Sequence, residues 1–340
     1  MSERFLPPDG APGPNGLVSA GSTGVGRLGI GLAAVARPAY ITAGRNRDLG
    51  AHRSVEDLRA RSRAVLDAAY AAGIRYVDVA RSYGRAEEFL AGWLAAHPTF
   101  DDVVVGSKWG YRYVGEWRLD ADVHEIKDHS LAAFERQSEE SLALLGEYLA
   151  IYHVHSATLD TGVLTDVAVH EAMARLRDSG TRIGISTSGP AQADAVRRAL
   201  GVQVGGLPLF TSFQATWNVL EPSAGRALAE AAATGAGVIV KEPVANGRLA
   251  PGGQDGSPGA ARAAELAEGL GVPVDQLAIA AALAQPWAGR VLSGAVDGEQ
   301  LASNVAAAAL QIPSDVAQEL ADLAEDPGSY WKARSARSWA

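Results

Sequence analysis
The sequence predicts an α/β fold, a single (β/α)8 barrel of the TIM type. Two observations carry this. Eight short apolar runs alternate with stretches of helical character along most of the chain. The runs are continuously apolar rather than alternating, as in parallel strands covered by helices on one face and packed on the other. An open doubly wound sheet ranks second, because no Gly-x-Gly-x-x-Gly turn falls between a strand and a helix.

The runs lie at 28–33, 74–79, 102–106, 149–154, 182–185, 209–214, 237–240 and 290–293. Helical spacing appears near 85–96, 126–146, 163–179, 190–200, 222–234, 274–285 and 298–309. Before these, Ser54-Val55-Glu56-Asp57 has the form of a capping box, and Val55, Leu58, Val65, Leu66 and Ala69 keep helical spacing up to a stop at Gly73. Residues 1–22, rich in Gly, Pro and Ser, read as a loose arm, and 23–340 as one barrel domain with no inter-domain linker.

Composition narrows the function. The net charge is −9 and no long basic run occurs, which argues against nucleic acid or an anionic membrane as partner. There is no cysteine, so disulfides, thiolate nucleophiles and cysteine-bound metal centres are excluded. His124 and His129 lack a carboxylate set around them, and no metal site is expected. No run of apolar residues is long enough to span a bilayer and the first residues do not form a secretory signal, so a cytoplasmic location is expected.

In a barrel of this kind the chemistry collects at the C-terminal ends of the strands. Asp78 interrupts an apolar run near its end, with Tyr83 in the loop above it. The next run closes on Lys108, and the next on Tyr152-His153-Val154-His155. Singly, each has a plain structural reading: a salt-bridged Asp, a wall Tyr, a solvated Lys, a core His. Together they form a proton-transfer set. A buried Asp78 needs a cation, which Lys108 supplies, and an ammonium beside a phenol favours the phenolate. Alternation puts His153 and His155 on one side of the strand and does not choose between them.

Asp78, Tyr83 five residues on, Lys108 and the Tyr-His-Val-His segment resemble the aldo-keto reductases over about Leu28 to Asn304. The resemblance implies an NAD(P)-dependent oxidoreductase moving hydride between a nicotinamide and a small carbonyl or alcohol, with Asp78, Tyr83, Lys108 and His155 as the catalytic set. His155, three residues after Tyr152, matches the family's active His. Gly184-Ile185-Ser186-Thr187 resembles the segment that holds the nicotinamide amide, with Thr187 in place of Asn. Gln214 and Trp217 resemble the next cofactor stretch, Trp217 being expected to stack on the nicotinamide. Pro243, Asn246 and Gly247 resemble the pyrophosphate loop.

Gly294, Asp297, Gln300 and Asn304 resemble the adenosine segment. Val296 stands where the family usually places Lys or Arg for a 2′-phosphate, and Asp297, which reads equally as a helix N-cap, would repel that phosphate, so the resemblance implies NADP or NAD with NAD favoured by these two positions. Arg290 and Lys241 are the cations that would restore charge by folding in. The aromatic loop after the third run, with Trp109 and Tyr111, and Tyr330, Trp331 and Trp339 in the tail read as a substrate wall or a partner surface, with plain loop packing an equal account of the cluster. Two other readings are carried along: a nicotinamide-binding regulatory subunit, and a barrel lyase forming a Schiff base on Lys108.

Overall fold
A computed structural model describes residues 24–39, 50, 52–253 and 255–337. The proposed arm at 1–22 and Trp339 lie outside the described residues. Eight parallel strands close into a barrel in chain order: β1 Leu28–Gly31, β2 Tyr76–Asp78, β3 Val104–Trp109, β4 Leu149–Ala157, β5 Arg182–Thr187, β6 Ser212–Thr216, β7 Gly237–Lys241 and β8 Arg290–Ser293. β8 pairs back onto β1 through Leu28↔Val291, which closes the ring.

Helices cover the outside: α1 Val55–Ala71, α2 Ala86–Ala96, α3 Leu131–Leu145, α4 Val167–Asp178, α5 Gln192–Leu200, α6 Gly225–Ala233, α7 Pro258–Gly269, α8 Val274–Leu283 and α9 Gly298–Ala306. The Ser54 box is present: Asp57 N donates to Ser54 Oγ at 3.1 Å and Ser54 N to Asp57 Oδ2 at 3.2 Å. The outward faces of the strands and the inner faces of these helices form the main core, from Leu28 through Phe89 and Phe213 to Val291.

Period-two alternation fixes what fills the barrel. Tyr76, Ile151, Ile239 and Leu292 point inward and pack together. The interior is crowded: a Cβ on Gly106 would run into the Tyr76 hydroxyl, and one on Gly184 would lie 2.6 Å from His153 Cδ2. Glycine at these two strand positions is what admits a Tyr and a His to the middle layer. One step further up each strand come Asp78, Lys108, Ser186, Gln214 and Lys241, the inward positions nearest the C-terminal rim.

The structure adds elements that apolar periodicity did not predict. The helix expected near 126–146 starts only at Leu131, because Glu125–Lys127 pairs antiparallel with Tyr111–Tyr113 in a hairpin over the mouth. Beyond α9, α10 Ser314–Ala321 and α11 Pro327–Ser335 pack with α7 and α8 on a second apolar cluster that includes Leu220, Leu249, Tyr330 and Trp331. Tyr330 and Trp331 are therefore buried packing residues. No single helix among the described residues is long and apolar enough to cross a membrane.

Candidate active site
A cleft of about 1080 Å³ opens at the C-terminal rim and runs from the hairpin, across β2, β4, β6 and β7, to the loop after β8. At its floor Asp78, 3 % exposed, forms an ion pair with Lys108. Lys108 Nζ also donates to Val79 O at 2.9 Å, and Gln214 Nε2 donates to Asp78 Oδ2 at 2.7 Å. Both carboxylate oxygens thus have donors, which is what a buried carboxylate requires. Burial pulls the Lys108 ammonium below its ordinary range, and the charge of Asp78 works against that pull.

Tyr83 sits above this pair. Its ring centroid is 4.9 Å from Lys108 Nζ and 4.9 Å from the Arg37 guanidinium carbon, and 5.4 Å from the His155 ring, which meets it edge-on. His155 Nδ1 faces Ser82 Oγ at 3.3 Å. Burial holds the His155 imidazole far below its usual pKa, and the charges of Lys108, Arg37 and Lys241 push it the same way. A neutral imidazole results, able to hydrogen-bond a carbonyl oxygen but not to serve as a standing cation.

His153 and His155 share the inward face but differ in depth. His153 is fully buried below the site, with Nε2 2.9 Å from Ser212 Oγ, and burial lowers its pKa to about 3. A register shift between Val154 and Ala157, with Ser156 at φ 51°, re-aims the end of β4 so that His155 lines the cleft. The Ser156 N–H then donates to Ser186 Oγ at 2.9 Å.

The remaining expected residues divide into three groups. Tyr111, Gln214, Pro243, Asn246, Gly247, Gly294, Gln300 and Asn304 line the cleft. Ser186 and Thr187 lie just beneath it: Ser186 accepts from Ser156 N, Thr187 Oγ1 donates to Gln214 O at 3.4 Å, and Ser188 is the residue that reaches the wall. Three others stand elsewhere, and the expectations for them are corrected here. Trp217 is turned outward, edge-on to Trp287 at 5.9 Å in a separate cavity between α6 and α8, because alternation from inward Gln214 puts position 217 outside. Trp109 is fully buried beneath the hairpin, edge-on to Phe134 at 5.0 Å, so it packs rather than forming a substrate wall. Asp297 caps α9, accepting from Gln300 N at 2.9 Å, rather than lining the cleft.

The structure also brings in Arg37, Glu125, Glu242 and Arg334, which sequence reading did not assign, beside Lys241, which it named as a cation that would fold in. Arg37, from the loop after β1, donates to Glu125 Oε1 of the hairpin at 2.7 Å. Arg334, from α11, makes a two-point pair with Glu242, and Lys241 Nζ donates to Thr216 Oγ1 at 2.7 Å. All line the cleft except Thr216. Burial lowers the Lys241 pKa to about 8, with Glu242 opposing the shift. Burial would raise the Glu242 carboxyl, but Arg334 and Lys241 outweigh it and hold that group below its usual range. Arg290 is not available to the cleft floor: it opens β8 at the opposite end of the barrel and donates to Gly26 O at 2.8 Å.

Comparison with known proteins agrees with this geometry. The family model "Aldo/keto reductase family" matches residues 50–325, most of the chain, and the chain belongs to that family. Among solved structures, the holo form of the aldo-keto reductase AKR11C1 from Bacillus halodurans superposes with a TM-score of 0.64 at 21 % identity, covering 88 % of this chain and 92 % of that one. A protein from Pseudomonas aeruginosa assigned to the aldo-keto reductases gives a TM-score of 0.58 at 24 % identity, covering 83 % and 90 %. At these identities the likeness establishes the barrel fold. No curated protein matches the chain significantly. Family membership carries with it oxidoreduction of carbonyl groups with a nicotinamide nucleotide.

Proposed function
We propose that the chain transfers hydride between NAD(H) or NADP(H) and a small carbonyl or alcohol, with Tyr83 as general acid and base. The observation that supports this most is the bracketing of Tyr83 between the Lys108–Asp78 pair and neutral His155 at the floor of the cleft. The nicotinamide, when bound, supplies or accepts the hydride.

The chain's own part is to place the carbonyl oxygen and move one proton. His155 donates a hydrogen bond to that oxygen from its free ring nitrogen. Tyr83 gives its phenolic proton as negative charge develops there, a role that general acids fill at a gain of about 10²–10⁴ in rate. Lys108 stabilises the resulting phenolate, and Asp78, held in turn by Gln214, fixes Lys108. Oxidation of an alcohol uses the same groups in reverse.

The remaining residues suit a dinucleotide. Among the described residues Gln214 Oε1, buried on the cleft wall, has no partner, which leaves an acceptor for a ligand's N–H group. Asn246 and Gly247 have φ of 54° and 91°, and this left-handed turn lets the backbone approach a ligand closely. Pro243, Asn246 and Gly247 would hold the pyrophosphate and Gly294, Gln300 and Asn304 the adenosine, with Ser186 and Thr187 supporting the carboxamide end from beneath. With Trp217 outside, Gln214 and Lys241 are the side chains left to seat the nicotinamide. Val296 in the adenosine segment, where a cation would read a 2′-phosphate, favours NAD.

Tyr111, Leu119 and Val123 of the hairpin loop form a wall for the substrate, whose class we take to be sugar-like or another specialised carbonyl. A cytoplasmic setting, with no nucleic acid or membrane partner, belongs to the same proposal. The Schiff-base reading is less well supported, since Asp78 and Val79 O already take two of the three Lys108 donors. The test is a tryptophan-fluorescence titration with NADH and NADPH, followed by nucleotide oxidation with a panel of aldehydes and ketones. Saturable binding with turnover supports the proposal; failure of both nucleotides to bind at millimolar concentration refutes it.

A further inference from the structure
The far end of the cleft is bounded by Pro273, Asp275, Gly294, Val296, Glu299 and Asn304. Asp275, in the first turn of α8, is 5 % exposed and bonds through one of its two oxygens among the described residues. Asp275 Oδ2 accepts from Ser303 Oγ at 2.8 Å and from Asn304 Nδ2 at 2.9 Å, which ties α8 to α9. Among the described residues Asp275 Oδ1, which is buried, has no hydrogen-bond partner. A buried carboxylate oxygen left unpaired is costly, so such an atom on a cleft wall marks a place where a ligand donor is expected.

The charge around it selects the kind of donor. Glu299 lines the same end, and the cations lining the cleft among the described residues are engaged by other groups: Arg37 by Glu125, Lys241 by Thr216 and Arg334 by Glu242. A phosphate entering here would meet two carboxylates. A neutral hydroxyl or amine would instead satisfy Asp275 Oδ1 with a charge-assisted hydrogen bond.

We propose that Asp275 is the residue that sets nucleotide choice, its free oxygen accepting from the adenosine of a dinucleotide whose ribose carries a 2′-hydroxyl, and its charge rejecting one that carries a 2′-phosphate. This rests on the reading of the cleft as a dinucleotide site. It moves discrimination from Asp297, which caps α9, to a residue of α8 some twenty positions earlier.

The full chain and its Asp275→Asn variant are titrated with NADH and with NADPH by tryptophan fluorescence, with far-UV circular dichroism to confirm folding. The wild type is expected to bind NADH at least about tenfold tighter than NADPH, the scale of a hydrogen bond to a charged group. Asp275→Asn is expected to weaken NADH, strengthen NADPH and shrink the ratio by a similar factor. An unchanged ratio in a folded variant overturns the assignment to Asp275. So does a wild type that binds NADPH as tightly as NADH, a result that needs no variant. If neither nucleotide binds the wild type, the dinucleotide reading itself is what fails.

Discussion

Lys108 Nζ lies 4.9 Å from the centroid of the Tyr83 ring while two of its donors are held from behind by Asp78 and Val79 O. The ammonium therefore cannot swing away, and the phenol always faces a fixed positive charge. On the proposed reading Tyr83 is the proton donor and Lys108 the residue that tunes it. Tyr83→Phe should lower kcat by about 10²–10⁴ while leaving nucleotide affinity near that of the wild type. Steady-state kinetics beside a binding titration separate the two effects.

Removing the tuning cation has a different signature. Lys108→Met leaves Asp78 buried with only Gln214 as a donor, and breaking a buried pair costs about 3–5 kcal/mol. Urea denaturation should show that loss. Without the ammonium the Tyr83 phenol ionises less readily, so the pH profile of alcohol oxidation should move to higher pH. An unchanged profile would separate Lys108 from the acid.

Trp217 should behave as a core residue. Packed against Trp287 outside the barrel wall, it is expected to cost about 3–5 kcal/mol when replaced by Ala, with NADH affinity unaltered in the folded fraction. Denaturation midpoints and a titration with excess nucleotide check this. A large loss of affinity at unchanged stability would return Trp217 to the cofactor site.

Stability should depend on pH through the buried imidazoles. His153 has its pKa lowered from 6.5 to about 3 in the folded protein. The unfolded chain therefore takes up a proton below about pH 6.5 that the folded chain refuses until near pH 3. Its contribution is complete above pH 6.5 and is lost progressively as pH falls towards 3, at about 1.4 kcal/mol per pH unit. His129, lowered to about 4 chiefly by burial, acts in the same direction. Urea midpoints at pH 7.5 and pH 5 should differ, the lower pH being less stable; equal midpoints would place both imidazoles in contact with water.

Much of this was legible in the sequence. The eight runs and their order are continuous apolar stretches, which no half-exposed strand would show. Asp78 and Lys108 stood out because a charged residue at the end of such a run has to be paired. The same alternation already held the answer for Trp217: with Gln214 facing in, position 217 faces out, while inward Ile239 implies inward Lys241. Asp297 likewise carried its structural role in plain view, three residues before Gln300 at a helix start.

Other features had no local signal. The depth difference between His153 and His155 follows from an irregularity at the end of β4, which periodicity does not encode. Arg37, Arg334 and Asp275 reach the cleft from a loop, the last helix and the start of α8, and only the closed barrel brings them together. The hairpin strands at 111–113 and 125–127 gave no strand signal, the second being read into the following helix, because they are short and half exposed.

The most direct test of the central claim is to follow the hydride itself. The protein is incubated with NADH carrying deuterium at one face of nicotinamide C4, together with activated aldehydes such as para-nitrobenzaldehyde, and the alcohol formed is examined by mass spectrometry. Deuterium in the alcohol from one labelled face only, abolished by Tyr83→Phe, is the predicted result. A nucleotide that binds yet transfers no label to any carbonyl of the panel would contradict the claim and leave a binding barrel in its place.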